Sequence, residues 1–382
     1  MLWTKGANRK SHAGRSPTVL FAGGGTGGHI YPNLAVWERL REAQGAPAGH
    51  FVLSDRPLDG RIVASENVGF TPLGVRPWPR RPWQWPGFLA ALARATRQVR
   101  RLIDQHQVRA VVATGGYVAG PVLLAARRCG VPAAMVNLDA VPGRANSRLA
   151  RQAARVFTVY ASPHLPGATT IGLPMRRCAV GPDDQQWARR QLGLDPQRPT
   201  LMITGGSQGA QSVNEAVLAT LGRDDVRAAL AGWQVLHITG PQKDADVAAA
   251  YQRLGMPAIV TAFCDAMGLA WRAATLAVSR AGAGAVAEAW ANAAPTLFLP
   301  YPFHKDQHQR LNAQPLVTIG GAELLTDRID PAANAAGLAP RLIELARDEA
   351  ARQAMAQRLT EHRPIDGAEL VARWVTETIK RR

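Results

Sequence analysis

Cysteine is scarce in this sequence and long hydrophobic runs are missing. Its three cysteines, Cys129, Cys178 and Cys264, are isolated, odd in number and lack the spacing of a metal site. This argues against a disulfide framework and indicates a reducing compartment. No segment approaches the roughly 20 consecutive apolar residues of a transmembrane helix, and residues 1–16 lack the apolar region of a signal peptide. We therefore expect a cytosolic protein that begins with a disordered basic arm over residues 1–16.

Acidic residues are scarce in one half only. Residues 1–175 contain 22 Lys and Arg against 7 Asp and Glu, which accounts for +15 of the formal net charge of +17. A half this basic suits polyanions, such as nucleic acid, anionic lipid or a phosphorylated substrate. No zinc module or RNA-recognition signature accompanies the charge, so nucleic acid is not expected as a partner.

The chain of 382 residues is too long for one ordinary core and fits two domains of about 150–200 residues. Short β-rich runs alternate with helical stretches, starting at "TVLFAGG" and again at "TLMITGG". This alternation predicts parallel, doubly wound sheets. We expect two Rossmann-like α/β domains, residues 17–174 and 175–382, joined near "IGLPMRRC". The last helix is a candidate to cross back onto the first domain.

A glycine-rich turn follows the first expected strand in "LFAGGGTGGHIYPNLAV", with five glycines in six positions. Backbone N–H groups of such a turn, with the dipole of the following helix, bind an anion. The turn also satisfies the dinucleotide pattern, and Asp55 lies where a dehydrogenase holds a ribose. His29 would project into the same cleft, where it could act as a base or bind phosphate, or could simply cap the helix.

Further glycine turns follow other strands. "ATGGYVAGP" gives the first domain a second anion-binding edge. In the second domain, "GGSQGA" carries Ser207 and Gln208 as side-chain donors, and "SRAGAGAVAEAWA" opens a helix at Ala283. Glu288 lies one to two turns into that helix, where its carboxylate could accept both hydroxyls of a ribose. An ordinary dehydrogenase needs one such domain, whereas this chain has two.

Hydrogen-bonding side chains are dense in "PYPFHKDQHQRLNA". Asp306, His308, Gln309 and Asn312 suit recognition of a polyhydroxylated ligand. His304 and His308, with Asp306, are also conceivable as metal ligands. The local prolines disfavour a helix carrying that pair, so no metal is expected.

Aromatic and basic residues are interleaved in "RPWPRRPWQWPGFLAALARATRQVRRLI", residues 76–103. Such a segment suits a membrane interface, although a proline-rich loop leading into a core-packed helix would have the same pattern. We favour the membrane interpretation and expect it to be carried by these residues: Trp78, Arg80, Arg81, Trp83, Trp85 and Phe88.

Six motifs occur in the order and approximate spacing of one family: "GGGTGGHIYPNLAVWERL", "GGYVAGP", "GRANSRLA", "GGSQGAQSVNEAV", "SRAGAGAVAE" and "KDQHQRLNA". Over about residues 18–320 the chain resembles the MurG family, the N-acetylglucosaminyltransferases of peptidoglycan synthesis. The resemblance implies a GT-B fold, with UDP-GlcNAc held mainly by the second domain and a lipid-linked acceptor (lipid I) at the first. It also implies no cofactor, and a peripheral position on the cytoplasmic face of an anionic cell membrane.

The resemblance implies residue roles as well. Glu288 would bind the ribose, Gln309 and Asn312 the sugar hydroxyls, and Phe263 and Cys264 the uracil. The full set expected at UDP-GlcNAc is Thr26, Gly27, Gly28, Asn137, Arg176, Ser207, Gln208, Phe263, Cys264, Met267, Glu288, His308, Gln309 and Asn312. The set expected at the acceptor diphosphate is Gly24, Gly25, Gly115, Gly116 and Tyr117.

The chain departs from the family at two places. Residues 136–139 read Val-Asn-Leu-Asp where the family usually has His-Glu-Gln-Asn, and "GLPMR" replaces "GNPVR", with loss of an amide at Leu173. The resemblance implies an inverting transfer, in which the 4-hydroxyl of MurNAc attacks C1 of GlcNAc, and this needs a base. Asn137 cannot accept a proton. The catalytic candidates are therefore His29 and Asp139, of which His29 is favoured.

Other functions remain open at this point. A glycolipid transferase, such as a diacylglycerol sugar transferase, shares the fold, and the departures on the acceptor side keep it in view. An NAD-dependent dehydrogenase would rest on "GGGTGG" and Asp55 alone and leave "GGSQGA" without a role. A nucleic-acid-binding protein would explain only the charge.

Overall fold

The computed structural model of the chain describes residues 17–25, 27–76, 79, 81–206 and 208–381. The predictions made above for the arm 1–16 and for Thr26, Trp78, Arg80 and Ser207 lie outside the described residues.

Strands and helices alternate along the whole chain. The strands are β1 (Thr18–Ala22), β2 (Ala48–Ser54), β3 (Gly69–Leu73), β4 (Val108–Ala113), β5 (Ala133–Asn137), β6 (Arg155–Thr158), β7 (Thr169–Thr170), β8 (Thr200–Thr204), β9 (Gln234–Ile238), β10 (Ala258–Thr261), β11 (Leu276–Ser279), β12 (Thr296–Phe298) and β13 (Ala322–Leu324). The helices are α1 (Gly27–Arg41), α2 (Pro57–Ala64), α3 (Trp85–Gln105), α4 (Gly116–Arg128), α5 (Arg144–Leu149), α6 (Gln185–Gln191), α7 (Gln211–Leu221), α8 (Asp224–Ala229), α9 (Asp244–Leu254), α10 (Met267–Ala273), α11 (Ala283–Ala291), α12 (His308–Thr318), α13 (Pro331–Arg347), α14 (Glu349–Glu361) and α15 (Gly367–Lys380).

The strands form two parallel sheets, which confirms the expected fold class. One sheet has the order β3-β2-β1-β4-β5-β6-β7, and the other has the order β10-β9-β8-β11-β12-β13. The central strands, such as β1, β4, β8 and β11, are rich in Val, Leu, Ile and Ala and are buried, as strands covered on both faces by helices require. In each sheet the chain reverses its direction of travel once, between β1 and β4 and between β8 and β11. Loops at such a reversal leave a crevice at the carboxyl ends of the strands, which is where open α/β sheets bind ligands.

The C-terminal helix packs on the first sheet and so ties the two halves together. Ala368, Val371 and Val375 of α15 are buried in the same cluster as Val19 and Phe21 of β1. Polar contacts support this packing: Arg39 of α1 donates from Nε to Asp366, at the start of α15, over 3.0 Å. The carboxylate of Asp366 also caps α15 by accepting from the backbone of Ala368 over 2.9 Å.

The structure differs from the sequence pattern at a few element boundaries. Helix α1 begins within the glycine-rich turn itself, at Gly27, so the last glycines of the turn and His29 form its first turn. Strands β3 and β13 are not foreseen by the pattern: β3 contains Gly69 and Pro72 and is mostly exposed, and β13 has three residues. Both lie at sheet edges, where pairing with one neighbour needs little hydrophobic signal.

Candidate functional site

The two glycine loops of the first sheet lie against each other. A Cβ on Gly116, whose φ is +74°, would lie 2.5 Å from the carbonyl oxygen of Gly24, so only glycine fits this approach. Gly25 is held by Asp59, whose carboxylate accepts from its backbone N–H over 2.7 Å and from the Ser54 hydroxyl over 2.5 Å. The loops after β1 and β4 therefore form one surface, and Tyr117 beside them is 53% exposed.

His29 lies at this junction with a defined tautomer. Its Nδ1 is 3.0 Å from the carbonyl oxygen of Thr114. Because a carbonyl can only accept, Nδ1 carries the hydrogen and the lone pair of Nε2 is left to accept a proton. Burial holds the pKa of His29 below its ordinary value of 6.5, against an opposing, raising effect of the nearby Asp139 carboxylate. The ring is therefore neutral near pH 7.

Thr114 and Asn33 explain why His29 is placed so firmly. The Thr114 hydroxyl donates to the backbone carbonyl of His29 over 2.5 Å, and the Asn33 amide donates to that hydroxyl over 3.1 Å. Both side chains are fully buried. Sequence reasoning missed these two residues and Asp59, although Thr114 directly precedes a glycine pair and could have been noticed there.

The loop after β5 contacts the second domain through Asn312. The Asn312 side chain, at the start of α12, accepts from the backbone N–H of Ala140 over 3.0 Å and donates to Asp139 Oδ1 over 3.3 Å. Asn312 is fully buried. The structure thus brings Asn312 of the second domain close to Asp139 and His29 of the first domain.

Asn137 is used to shape this loop. Its amide donates to the carbonyl of Asp139 over 2.7 Å and to the hydroxyl of Thr158 over 3.2 Å, and its oxygen accepts from Asn146 over 3.4 Å. Asn137 is 1% exposed. The side chain that replaces the family's glutamate therefore orients Asp139 and has no proton to exchange.

Glu288 is a carboxylate with an unusual environment. Trp271 donates from Nε1 to its Oε2 over 2.8 Å, while Oε1 accepts no hydrogen bond from the residues that the structure describes. Burial raises the pKa of Glu288 from 4.5 to about 7, although the bond from Trp271 opposes the rise. One carboxylate oxygen of Glu288 is therefore hydrogen-bonded and the other can still accept a hydrogen bond. A carboxylate of this kind, with a pKa near neutral pH, suits a ligand with hydroxyl donors.

The remaining residues expected at the nucleotide come from the loop after β8 and the segment after β10, of which Cys264 lies near enough to Glu288 to be affected by its charge. Phe263 is 50% exposed, and its carbonyl accepts from the Thr261 hydroxyl over 2.8 Å. Cys264 is half-buried, which raises the pKa of its thiol, and Met267 is the first residue of α10. Gln208 is exposed in the loop after β8.

Tyr31 of the first domain faces this region across the crevice. Burial raises the pKa of its phenol, the Arg176 guanidinium opposes the rise, and the Asp265 and Glu288 carboxylates add to it. The ring is 38% exposed. Sequence reasoning missed Tyr31, because a tyrosine in the first turns of a helix carries no signal of its own.

Two arginines, Arg176 and Arg280, differ in whether their guanidinium groups are free to bind a diphosphate. Arg176 pairs with Glu66 of the first domain over 2.7 Å, and its Nε is buried without a partner among the described residues. Arg280 is internal: its guanidinium pairs with Asp327 over 2.6 Å and donates to Leu299 O over 2.7 Å. Arg280 therefore holds β11 to its neighbours, whereas Arg176 retains an unused donor.

The residues expected at the sugar lie where α12 begins. Gln309 accepts from the backbone N–H of Tyr301 over 2.9 Å, and His308 contacts both Asp306 and His304. Each of these side chains reaches the same end of the crevice as Asn312, since they share the first turns of α12 or the loop before it.

The aromatic and basic segment is exposed. Trp83 is 70% exposed with Arg81 stacked 5.3 Å above its ring, and Trp85 meets Phe88 edge to face. Helix α3 buries residues including Ala95 and Val99 against α4 and presents its arginines outward: Arg94, Arg97, Arg100 and Arg101 are exposed. In the part of the chain that the structure describes, no helix is both long and apolar enough to cross a bilayer.

A large apolar cavity, of about 1280 Å³, lies between the domains beside the linker. It is lined by residues including Ile171, Leu173, Val286 and Trp290. Leu173 is 7% exposed. The residue that replaces the family's amide in "GLPMR" therefore contributes packing at the domain junction rather than a hydrogen bond.

The comparisons with known proteins agree with this architecture. The model of the glycosyltransferase family 28 N-terminal domain matches residues 19–158, and that of the family's C-terminal domain matches residues 200–370. The chain is a glycosyltransferase of family 28 with the GT-B fold. A solved structure of MurG from Acinetobacter baumannii superposes with a TM-score of 0.74 at 24% identity, covering 95% of this chain and 99% of that one.

Similarity to curated relatives identifies a particular family within this class of glycosyltransferases. A Nocardioides protein named UDP-N-acetylglucosamine–N-acetylmuramyl-(pentapeptide) pyrophosphoryl-undecaprenol N-acetylglucosamine transferase is 37% identical, over 94% of this chain and 97% of its own length. A protein of the same name from Acidothermus cellulolyticus is 39% identical over 81% and 84%, respectively. The chain belongs to this family, the MurG family.

Proposed function

We propose that this chain transfers GlcNAc from UDP-GlcNAc to the 4-hydroxyl of MurNAc in undecaprenyl-diphospho-MurNAc-pentapeptide, the step from lipid I to lipid II in peptidoglycan synthesis. The observation that carries the proposal is the near full-length match to relatives whose names state this donor and this acceptor. The two facing crevices, one at each sheet reversal, supply a place for each substrate.

The donor is assigned to the second domain. Glu288 accepts the ribose hydroxyls through its open oxygen, the uracil lies at Phe263 and Cys264, and Gln208 with the N-terminus of α11 receives the diphosphate. A helix N-terminus stabilises an anion, and it stabilises the additional charge that develops as UDP leaves. Arg176 adds its unused Nε–H on the opposite side of the crevice.

The acceptor is assigned to the first domain. Its diphosphate binds at the paired glycine loops, which contain Gly24, Gly25, Gly115 and Gly116, with Tyr117 at the edge. Helix α3 and the segment before it then lie on the anionic cytoplasmic face of the membrane through Trp83, Trp85 and Phe88, and through the exposed arginines of α3. This arrangement lets a peripheral protein reach a substrate whose lipid stays in the bilayer.

His29 is the proposed base. Its neutral ring presents the Nε2 lone pair, and the 4-hydroxyl of MurNAc transfers its proton there as the oxygen attacks C1 of GlcNAc. The bond from C1 to the β-phosphate oxygen breaks at the same time, and the electron pair leaves with UDP. Asp139 stabilises the imidazolium that forms, since its carboxylate already raises the pKa of His29.

The test is transfer of labelled GlcNAc to a short-chain lipid I analogue in the presence of EDTA. We expect His29→Ala to lower kcat by about 10²- to 10⁴-fold with little change in the KM for UDP-GlcNAc. Asp139→Asn should retain more activity and move the acid limb of the pH profile to lower pH, because the carboxylate that raises the pKa of His29 is gone. Asp55→Asn, at an exposed position, is the matched control and should behave as wild type.

Other outcomes would contradict the assignment. Transfer to diacylglycerol but not to the lipid I analogue would make the chain a different glycolipid transferase of the same fold. Failure to bind UDP-GlcNAc would remove the donor itself. Full activity in His29→Ala would leave the substrates in place but eliminate the proposed base.

A further inference from the structure

Two histidines and an aspartate converge at the start of α12. His304 Nδ1 lies 3.0 Å from both ring nitrogens of His308, and His308 Nδ1 lies 2.8 Å from Asp306 Oδ1. The three potential ligand atoms are all within 4.8 Å of one another. In the described part of the chain, no other group of three His, Cys, Asp or Glu side chains comes this close.

A tight turn brings these side chains together. The backbone N–H of Gln307 donates to His304 O over 2.9 Å, and Gln307 has a φ of +47°, a left-handed conformation that is costly for a residue other than glycine. The backbone N–H of His308 then points to Asp306 over 3.3 Å. His304 therefore reaches His308 from the turn before the helix, and the two residues need not share a helical face. The local prolines, which disfavour a helix carrying both histidines, do not prevent this geometry.

The close approach of the ring nitrogens of His304 and His308 depends on their protonation. Two neutral imidazoles can share one hydrogen between facing nitrogens, whereas two imidazolium rings would repel each other. Neutral imidazole is the form that ligates a metal, and many such sites are completed by a carboxylate that accepts a hydrogen bond from the imidazole or ligates the metal itself.

We propose that His304, His308 and Asp306 form a site for a divalent transition ion of the Zn²⁺ class, with a fourth position left to water or another ligand. Ligand bonds of about 2.0–2.1 Å in a tetrahedral site put neighbouring ligand atoms about 3.3 Å apart. Two of the observed separations, 2.8 and 3.0 Å, lie slightly below this value, and the third, between His304 and Asp306, is at most 4.8 Å. Tyr301, packed edge to face on His304 at 4.9 Å, supports that ring from the other side.

The charges around the site suit a cation. Asp306 and, farther away, Asp139 act on His304 in the sense that favours positive charge, whereas Arg280 acts in the opposite sense. The charge of Arg280 is already balanced by Asp327, which is fully buried against it. The binding of Zn²⁺ does not depend on the transferase activity, so the site can be tested separately.

The experiment is a titration of the full chain, purified in EDTA and then dialysed, with ZnCl₂ in a calorimeter and with CoCl₂ in a spectrophotometer. We expect one high-affinity Zn²⁺ per chain, visible d–d absorption of tetrahedral Co²⁺, and a rise in Tm with Zn²⁺. His304→Ala and His308→Ala should each weaken binding by at least about 10- to 100-fold, the loss typical even of supporting residues at metal sites. Asp306→Asn preserves the turn, since an amide oxygen can still accept from the His308 N–H, and should weaken binding while the fold is retained.

His106→Ala is the matched control. His50 and His106 form the other stacked imidazole pair of the described chain, with ring centroids 4.3 Å apart and no carboxylate hydrogen-bonded to them. Zn²⁺ binding that survives His304→Ala but is lost in His106→Ala would overturn the proposal. So would the absence of any Zn²⁺ binding to the wild-type chain, or binding of equal strength in wild type and in a folded Asp306→Asn variant.

Discussion

Glu288 allows a sharp prediction, because its pKa of about 7 lies inside the range in which the protein can be assayed. If the carboxylate form accepts the ribose hydroxyls, UDP-GlcNAc binds the ionised state and the apparent affinity follows its population. At pH 6 about one molecule in ten is ionised, so the Kd should be about tenfold higher than at pH 8. Near pH 7 the binding of each donor molecule should release about half a proton.

The assay is calorimetric titration with UDP-GlcNAc at pH 6, 7 and 8, repeated in two buffers of different ionisation enthalpy to count the protons released. UDP-GlcNAc is chosen over UDP because its diphosphate has no proton to lose in this range. In Glu288→Gln the affinity should be lower and independent of pH. In Trp271→Phe, loss of the hydrogen bond to Oε2 should raise the pKa of Glu288 and move the profile to higher pH.

The effect on stability has the opposite sign. A carboxyl group whose pKa is raised on folding stabilises the fold below its unfolded pKa of 4.5, and this contribution is lost as the pH rises through about 7. The loss is at most about 3 kcal/mol, and less in practice because Glu288 is only partly buried. Glu288→Gln should therefore unfold less readily than wild type at pH 8. A wild-type affinity that does not vary with pH, with no proton released, would refute the reasoning.

Two structural contacts give further predictions. Asp327→Asn should lower the free energy of unfolding in urea by about 3–5 kcal/mol, because it leaves the buried Arg280 without its charge partner; a loss below 1 kcal/mol would mean that the pair is not isolated from water. Gly367→Ala should cost about 1–3 kcal/mol, since a Cβ there would collide with the carbonyl oxygen of Gly172 and displace α15 from the first sheet. Gly337→Ala, where a Cβ meets nothing, is its control, and equal Tm values for the two variants would contradict the role of this contact.

The fold could be predicted from the sequence because its signals are local. Most buried strands are short apolar runs followed by a loop and a helix, several with glycine in the loop as in "TVLFAGG", and two successive sets of such units favour two parallel sheets. The position of His29 was also predictable, since a residue directly after a glycine turn lies at the first turn of the next helix. Contacts between residues that are far apart in the sequence were not predictable in this way.

The parts of the site that escaped prediction depend on such distant contacts. Asp59 reaches Gly25 across 34 residues, and Trp271 reaches Glu288 across 17. Arg280 lies directly before a glycine turn, yet its charge is neutralised by Asp327, from a segment with no recognisable motif. A sequence pattern shows which groups a residue offers, but whether those groups are free depends on partners that only the fold brings close.

Asn312 shows how the two domains share one site. Its side chain accepts from the backbone of Ala140 over 3.0 Å and donates to Asp139 over 3.3 Å, and a hydrogen bond of this kind contributes about 1 kcal/mol. If Asn312 binds a sugar hydroxyl, as the resemblance to the family implies, it must exchange at least one of these bonds for one to the donor. The same exchange frees an oxygen of Asp139, the carboxylate that acts on His29. On this proposal, occupation of the donor site and the electrostatic support of the base would be linked through a single amide, which no motif in either domain encodes alone.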